Sequence, residues 1–205
     1  MEKFEINENG TLTAYHNDDK NVTEIIIPEG VKFIESHVFS EYGKIYSVVF
    51  PDSLENLDDW AFWCCFKLSE IKYRGITFNP RAEMFKKPET IDMIANKNYS
   101  HVISHRIKYP VIFQIYFRDG DDVTTAYIKK HFREIFKFLT NAVIFQDSYK
   151  DCITLENVLK ITEKLIKSGK FISKRNIKTY IKIADEKECY EIFDMLNEYK
   201  EENNF

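Results

Sequence analysis

The fold is decided by EIIIPEGVKFIESHVF at residues 24–39 and by its copy, SVVFPDSLENLDDWAFWCCF, at residues 47–66. The two stretches share a period of 23 residues, the interval from Pro28 to Pro51, and a partial third copy begins as LSEIKYRGITF at residue 68. Apolar residues recur in register: Val22, Ile45 and Leu68; Ile25, Val48 and Ile71; Ile27, Phe50 and Tyr73; Val31 and Leu54; Ile34 and Leu57; Phe39 and Phe62. Such a period predicts a protein built of stacked repeats.

Each copy predicts a short strand followed by a tight turn. Ile25 and Ile27 alternate with Glu24 and Ile26, so one face of the strand points inward. Pro28 ends the strand because proline has no N–H to donate to a ladder. One such unit cannot cover its own apolar face, so neighbouring units must stack.

The two copies resemble the BspA-type leucine-rich repeat, whose pattern is roughly IxIPxxVxxIxxxAFxxC. The second copy matches at Ala61, Phe62 and Cys65, whereas the first has Val38 and Tyr42 at the corresponding Ala and Cys positions. The resemblance covers about residues 4–80. It implies a short leucine-rich-repeat solenoid with a scaffold and recognition role, and many relatives are thought to sit on cell surfaces.

Both ends of the repeat array have a predicted closing element. The upstream FEINENGTLTAY predicts a β-hairpin with its turn at Glu8-Asn9-Gly10, since Asn-Gly between apolar alternations is a strong hairpin signal. The third copy has Arg74 where the earlier copies have proline. We therefore expect it to form a terminal strand that closes the stack.

The second half of the sequence is predicted to be helical, which makes the chain an α+β protein with a leucine-rich-repeat module at 1–80 and a helical module at 81–205. Expected helices are 88–97, 99–106, 109–118, 122–140, 154–168, 174–185 and 187–202. Thr154 and Ser173 are predicted N-caps, and Gly169 is a predicted C-terminal cap. Residues 154–202 resemble a degenerate ankyrin-type array, and a generic helical bundle is the alternative. A similar helical tail follows BspA-type repeats in some bacterial proteins.

Composition and charge bound the class of protein. The chain of 205 residues has a net charge of −4, with seven Lys/Arg against fourteen Asp/Glu in residues 1–80 and 22 against 19 in residues 81–205. The four cysteines form no CxxC pair, and no apolar leader or run of ~20 apolar residues is present. These features predict a cytoplasmic protein that does not cross a membrane.

The sequence carries no motif of catalysis. The spacing of the six glycines excludes a phosphate-binding loop and a dinucleotide fingerprint, and no nucleophile elbow is present. We therefore expect no enzymatic activity and no cofactor. His101 and His105 would share a helix face, but they lack further metal ligands, so no metal site is expected. Asp121 and its acidic neighbours in RDGDD are better explained as a helix N-cap than as a calcium loop.

Trp60, Trp63 and Phe66 are candidate partner-binding residues. The matching positions of the first repeat hold His37, Ser40 and Gly43, so the repeat itself does not need large aromatics there. One interpretation is an anchor for a partner protein, because tryptophan is enriched at binding hot spots. The other is that this edge of the stack packs on the helical module.

A basic run at 160–182 is the second candidate surface. Its members are Lys160, Lys164, Lys167, Lys170, Lys174, Arg175, Lys178 and Lys182, and only Glu163 opposes them within the run. A basic helix face can meet nucleic acid or an acidic protein surface. A solvated helix face is the alternative interpretation.

The function predicted first is that of a non-enzymatic adaptor that binds another protein through its repeat and helical surfaces. An alternative is a small acidic inhibitor, of the phage or mobile-element anti-defence type, that occludes a nucleic-acid-handling protein such as a CRISPR nuclease. Its phosphate-mimicking acids would be Glu24, Glu29, Asp58 and Asp59. A further alternative is nucleic-acid binding through residues 160–182.

Overall fold

The computed structural model describes residues 3–80 and 87–205 of the chain. The chain divides into two compact units, Met1–Ile115 and Tyr116–Phe205, which we call the repeat unit and the helical unit. The sequence-based boundary at 80/81 lies earlier, where the strand pattern ends. The repeat unit continues past that point because two helices complete it.

The strands of the repeat unit are short and alternate between two sheets. They are β1 (Lys3–Ile6), β2 (Thr11–His16), β3 (Glu24–Ile26), β4 (Phe33–Ile34), β5 (Ser47–Val49), β6 (Asn56–Leu57), β7 (Glu70–Tyr73) and β8 (Ile76–Phe78). One sheet has the order β1-β2-β4-β6 and the other β3-β5-β7-β8. The neighbours β2-β4-β6 and β3-β5-β7 are parallel, so each full repeat contributes one strand to each sheet.

The 23-residue period is the hydrogen-bonded register of these sheets. Ile25 pairs with Val48, and Val48 pairs with Ile71. In the other sheet Ile34 pairs with Leu57. Equivalent residues of successive repeats therefore lie side by side, at the ~4.8 Å spacing of neighbouring strands.

The core of the repeat unit consists of the recurring apolar residues. Those at most 4% exposed include Ile25, Ile27, Val31, Ile34, Phe39, Ile45, Val48, Leu54, Leu57, Phe62, Leu68 and Ile71. The rings of Phe39 and Phe62 stack with their centroids 4.7 Å apart. Each such side chain contributes ~1.5–3 kcal/mol of hydrophobic free energy before the entropy of ordering the chain is subtracted.

The hairpin β1–β2 starts the repeat unit as predicted. The side-chain oxygen Oδ1 of Asn7 accepts hydrogen bonds from the backbone N–H groups of Asn9 and Thr11, at 3.0 and 2.9 Å. Gly10 has a φ of +80°, and a Cβ there would lie only 2.6 Å from the carbonyl oxygen of Gly30. The turn therefore requires glycine for its backbone conformation and for its close approach to the first repeat.

The antiparallel hairpin β7–β8 and helix α2 (His105–Asp119), as far as Ile115, complete the other end of the repeat unit. On β8, the backbone N–H of Thr77 donates to Oε1 of Gln114 at 2.9 Å, and Nε2 of Gln114 donates to the carbonyl oxygen of Thr77 at 2.8 Å. This side-chain amide takes the place of a further strand at the sheet edge. Arg74 donates from Nη2 to the carbonyl oxygen of Asp52 at 2.7 Å, which ties the third copy to the second.

The helix predicted at 99–106 is absent, and α2 begins only at His105. The side chain of Lys108 is buried, and its Nζ donates to the carbonyl oxygens of Tyr99 and His101 at 2.6 and 2.9 Å. These two carbonyls therefore receive bonds from a side chain, not from a continuing helix. Burial lowers the pKa of Lys108 from its ordinary value.

The remaining helices begin and end close to their predicted positions, except the short helix at 146–149, which was not predicted. They are α1 (Lys87–Asn96), α3 (Asp122–Ile144), α4 (Gln146–Tyr149), α5 (Leu155–Lys167), α6 (Ile177–Glu186) and α7 (Tyr190–Glu202). In the helical unit α3 packs on α5 and α6, and α7 packs on the same two helices. The chain therefore has strands followed by helices, as predicted. The ankyrin-like interpretation of residues 154–202 is supported only by the helical character of that part of the chain.

The capping predictions have different outcomes. The side chain of Thr154 accepts from the backbone N–H of Asn157, and Gly169 has a φ of +66° just after α5, both as predicted. Ser173 is not the N-cap of α6, because a turn at 174–176 separates it from the helix, which begins at Ile177 after Asn176 as its N-cap. Tyr190, the first residue of α7, is 60% exposed.

Candidate interaction surfaces

The aromatic patch, defined as Trp60, Trp63 and Phe66, lies in the turn that follows β6. Oδ1 of Asp58 accepts from the backbone N–H of Trp60 at 2.8 Å and so begins this turn. Ala61 and Phe62, which lie between the two tryptophans, are almost completely buried. The turn therefore directs its small residue and its phenylalanine into the core and its two indoles outward.

The side chains of the aromatic patch are partly or largely exposed. Trp60 and Trp63 are each 40% exposed and Phe66 is 72% exposed. The two indole rings meet edge to face with their centroids 4.6 Å apart, a preferred aromatic geometry. The structure thus brings both tryptophans of the chain into one contact.

The four predicted acidic residues lie at three places around the repeat. Asp58 and Asp59 lie in the turn of the aromatic patch, directly before Trp60. Glu24 is exposed on β3. Glu29 follows Pro28, and its carboxylate accepts from the backbone N–H groups of Asp52 and Ser53 in the next repeat, at 3.0 and 3.4 Å. Glu29 therefore has a structural task, which the sequence did not indicate.

An open groove of about 540 Å³ on the β3-β5-β7 sheet was not predicted from the sequence. It is lined by Thr23, Glu24, Lys44, Tyr46, Ser47, Lys67 and Glu70. The hydrogen bond from Lys72, at 2.9 Å, is the largest cause that lowers the pKa of Glu70. The 23-residue spacing of Lys44 and Lys67 is the signal that would have shown these lysines to be neighbours.

The basic run at 160–182 is more nearly neutral in the structure than in the sequence. Lys160 pairs with Glu156 at 2.5 Å, Lys167 with Glu163 at 2.7 Å, and Lys182 with Glu186 at 3.5 Å. The prediction that only Glu163 opposes the run overlooked the two glutamates just outside it. Ion pairs at i,i+4 on a helix are typical of a solvated surface.

The other basic residues of the run lie on the surface of the helical unit. Nζ of Lys164 lies 5.2 Å from the centroid of Phe117. Lys174, Arg175 and Lys178 are exposed in the turn before α6 and in its first turn.

The helical unit offers no stacking platform within the basic run. The run's two aromatic residues, Phe171 and Tyr180, are 6% and 8% exposed. Both rings contact Phe132 in the core of the helical unit. Binding of single strands by base stacking needs accessible rings, so this arrangement does not favour it.

The remaining polar motifs have structural partners. Nε2 of His101 lies 2.6 Å from Oδ2 of Asp92, whereas His105 is the first residue of α2, so the two histidines do not share a helix face. Within residues 3–80 and 87–205, no group of three or more His, Cys, Asp and Glu is arranged to hold a metal ion. Asp121 caps α3 by accepting from the backbone N–H of Thr124, as predicted. Cys65 is buried, with its Sγ 3.2 Å from the carbonyl oxygen of Phe39.

The repeat unit has a counterpart among known families. Residues 11–107 match a family model. That family is described as the BspA type Leucine rich repeat region (6 copies). The match supports the leucine-rich-repeat part of the prediction, and it extends beyond residue 80 into the helices that complete the repeat unit. No curated protein and no solved structure matches the chain.

Among the described residues, no helix is long and apolar enough to cross a bilayer. The longest, α3, has charged side chains distributed along its outer face.

Proposed function

We propose that this protein is a non-enzymatic protein–protein interaction module that binds its partner through the leucine-rich repeats. The observation that carries the proposal is the aromatic patch, in which 40–72% of each side chain is exposed. Leucine-rich repeats generally serve protein–protein binding, which supports the same conclusion. Tryptophan is among the residues most enriched at binding hot spots.

The comparison between the two repeats supports a role in binding over a role in folding. The first repeat has a corresponding turn with His37 and Ser40 where the second has Trp60 and Trp63. The bonds from the backbone N–H of Ser40 to the carbonyl oxygen of His37 and from Trp63 to Trp60 are equivalent, although His37 has a positive φ and Trp60 does not. The backbone N–H of His37 donates to the carbonyl oxygen of Trp60 at 3.1 Å, so the two turns are in register. The tryptophans are therefore an addition to a scaffold that already folds with small or polar residues there.

The basic run supports nucleic-acid binding less well. Three of its lysines pair with glutamates on their own helices, which lowers the positive potential of the surface. The family match, moreover, lies outside it. We therefore rank nucleic-acid binding below protein binding.

A second candidate function is inhibition of a nucleic-acid-handling protein. The acidic excess of residues 1–80 and the position of Asp58 and Asp59 beside the aromatic patch favour it. An acidic surface of this kind can occlude a groove that otherwise binds phosphates. This candidate uses the same surface as the adaptor and differs in the identity of the partner.

A pull-down from lysate of the source organism, carried out with and without nuclease treatment, tests the proposal. The test variant is Trp60→His/Trp63→Ser, which installs the first repeat's own residues and should leave the fold intact. Tyr190→Ala is the matched control, since Tyr190 is an exposed aromatic of the helical unit. The wild type and the control should retain the same protein partner, and the double variant should lose most of it.

The outcomes separate the candidates. A partner that the double variant still retains would place the binding surface elsewhere and contradict the proposal. Retention of nucleic acid without any protein, abolished by Lys164→Glu/Lys178→Glu, would replace the proposal by nucleic-acid binding. A nuclease or other nucleic-acid-binding enzyme among partners that depend on the aromatic patch would select the inhibitor over the adaptor.

A further inference from the structure

Strand β3 lies at the edge of the β3-β5-β7-β8 sheet and, among the described strands, pairs only with β5. The backbone N–H of Ser47 donates to the carbonyl oxygen of Thr23 at 3.0 Å, so alternate residues counted from Thr23, including Ile25, bond to β5. The N–H and C=O groups of Glu24 and Ile26 therefore point to the open side of the strand. Backbone groups on such an edge can pair with a further strand.

The hairpin β1–β2 supplies a preceding strand to one sheet but not to the other. Strand β2 pairs with β4 and so takes the position before the first repeat in the β1-β2-β4-β6 sheet. Among the described residues, no strand takes the corresponding position before β3. An open cavity of about 410 Å³ lies between Ile6–Gly10 of the hairpin and Glu29, Gly30 and Lys32, which follow β3. The hairpin therefore leaves the position before β3 open.

The side chains of Glu24 and Ile26 determine the chemistry that an added strand would meet. Both lie on the outer face of β3, where Glu24 is exposed and Ile26 is 64% exposed. Residues that lie opposite each other on neighbouring strands have their side chains on the same face and in contact range. Lys44, Lys67 and Lys72 lie just before β5 and β7 or on β7, which is the paired side of β3. At the open side, an added strand would meet a carboxylate and an apolar side chain.

The same edge is poorly suited to a second copy of the chain. In a two-fold symmetric pair the two β3 strands run antiparallel, and each register has a defect. If Glu24 lies opposite its own counterpart, two like charges face each other. If Ile26 lies opposite its counterpart, Pro28 lies opposite Glu24 and has no N–H to donate. If Glu24 lies opposite Ile26, a carboxylate faces an apolar side chain, whereas a different strand can avoid all three defects.

We propose that β3 accepts an extended segment of a partner protein, which adds to the sheet as a strand and has a basic residue opposite Glu24 and an apolar residue opposite Ile26. Hydrogen bonds to the backbone of these two residues give the affinity, and the two side-chain pairs give the selectivity. The aromatic patch follows β6, which belongs to the other sheet. The strand-accepting edge is therefore a second contact surface that goes beyond the proposed function.

The test uses the full chain and an extended peptide. The probe is labelled acetyl-Thr-Lys-Thr-Ile-Thr-Lys-Thr-amide, whose sequence is the same in both directions, so that Ile26 can meet the isoleucine and Glu24 a lysine whichever way the strand runs. One matched peptide has N-methyl groups at the lysines and the isoleucine, and another has them at the two threonines between these residues. A strand pairs through one set of alternate N–H groups. Methylation of that set should weaken binding at least about ten-fold, and methylation of the other set less than about two-fold.

Variants of the chain test the same edge from the other side. Ile26→Pro removes the N–H that faces the open side and keeps the bonds of Ile25 to β5, whereas the matched control Ile26→Thr retains that N–H. The proline variant should bind the probe at least about ten-fold more weakly than the threonine variant. Glu24→Gln should weaken binding about two- to five-fold, the size of an exposed ion pair. In the wild type, amide exchange at Ile26 should slow when the probe is added, which keeps the test valid if the proline variant does not fold.

Equal losses with the two methylated peptides, or unchanged amide exchange at Ile26, would overturn the inference. Dimerisation of the chain that Ile26→Pro abolishes would overturn it in favour of a second copy. Loss of probe binding in Trp60→His/Trp63→Ser would place the peptide on the aromatic patch and overturn it as well. If the probe fails to bind while that double variant still loses the native partner, the proposed function stands and this inference falls. If the probe binds as expected but the native partner does not depend on the tryptophans, the proposed function fails instead.

Discussion

Phe39 and Phe62 belong to successive repeats, and replacing Phe39 with alanine measures how strongly their contact holds the repeats together. Their ring centroids are 4.7 Å apart and their planes differ by 11°. Phe39 is fully buried, and its ring lies 5.3 Å from that of Tyr15 on the other side. The substitution would therefore open a cavity between two rings in two different strands or turns.

The expected cost is large on the scale of a small domain. Phenylalanine-to-alanine changes in protein cores cost ~3–5 kcal/mol. We expect Phe39→Ala to reach the upper part of that range, because Tyr15 and Phe62 cannot both move into the space without breaking the strand register. Since domains are stable by ~5–15 kcal/mol, this is a substantial fraction of the free energy of unfolding.

Urea unfolding followed by tryptophan fluorescence measures the effect, since Trp60 and Trp63 both lie in the repeat unit. Phe66→Ala is the matched control: the same change at a ring that is 72% exposed should cost at most ~0.5 kcal/mol. A cost for Phe39→Ala below ~1 kcal/mol, the typical value for any point substitution, would refute the assignment of Phe39 to the core. A control as costly as Phe39→Ala would refute the distinction between the buried and the exposed rings.

Three further predictions concern a glycine of the first hairpin, an aspartate of α1 and two cysteines. Gly10→Ala should lower the thermal stability of the repeat unit, because Gly10 has a φ of +80° and a new Cβ would lie 2.6 Å from a carbonyl oxygen of the first repeat. Asp92→Asn should weaken the dependence of stability on acid pH. Hydrogen bonds, of which the one from Asn96 contributes most, lower the pKa of Asp92 in the folded chain. The ionised carboxylate therefore stabilises the fold at pH values above its pKa in the unfolded chain. This stabilisation is lost as the pH falls through the lower pKa of the folded chain. Cys64 should react with a thiol reagent faster than Cys189, because Cys189 is 1% exposed and burial raises its pKa. Mass spectrometry of the labelled chain measures the two rates.

Each of these predictions has a contradicting outcome. Gly30 also has a positive φ, of +94°, but a Cβ there meets nothing within 4 Å, so Gly30→Ala should cost less than Gly10→Ala. Equal costs would show that the close approach at Gly10 is unimportant. An unchanged acid limb of the stability profile in Asp92→Asn would contradict the role of its hydrogen bonds. Labelling of Cys189 at the rate of Cys64 in the folded chain would contradict its burial.

Local patterns in the amino-acid sequence were enough to predict the resemblance to a repeat family and the helical second half of the chain. A period of 23 residues, with proline at the end of each strand, predicts which residues stack, and the pairing of Ile25, Val48 and Ile71 confirms it. Asn9-Gly10 predicts the hairpin for the same reason: one turn type demands those residues. The helix predicted at 122–140 similarly corresponds to α3 (Asp122–Ile144).

The misplaced helix at 99–106 shows where local patterns fail. The decisive contacts come from Lys108, whose side chain reaches back to the carbonyl oxygens of Tyr99 and His101. The local sequence shows that residues 99–106 are compatible with a helix. It does not show that a lysine side chain donates hydrogen bonds to two of their carbonyl oxygens. Gln114 is a similar case, since no sequence pattern around it predicts that its side chain bonds to the backbone of the edge strand β8.

The repeat, its register and the candidate residues of the aromatic patch could be predicted from the amino-acid sequence, because each depends on spacing along the chain. Three features became known from the folded structure: Trp60 and Trp63 touch and stay partly exposed, Lys160 and Lys167 pair with glutamates, and the carboxylate of Glu29 accepts from backbone N–H groups. Exposure and pairing depend on which distant or neighbouring atoms fill the remaining space around a side chain. Periodicity places a residue on a face, but packing decides whether that face is covered.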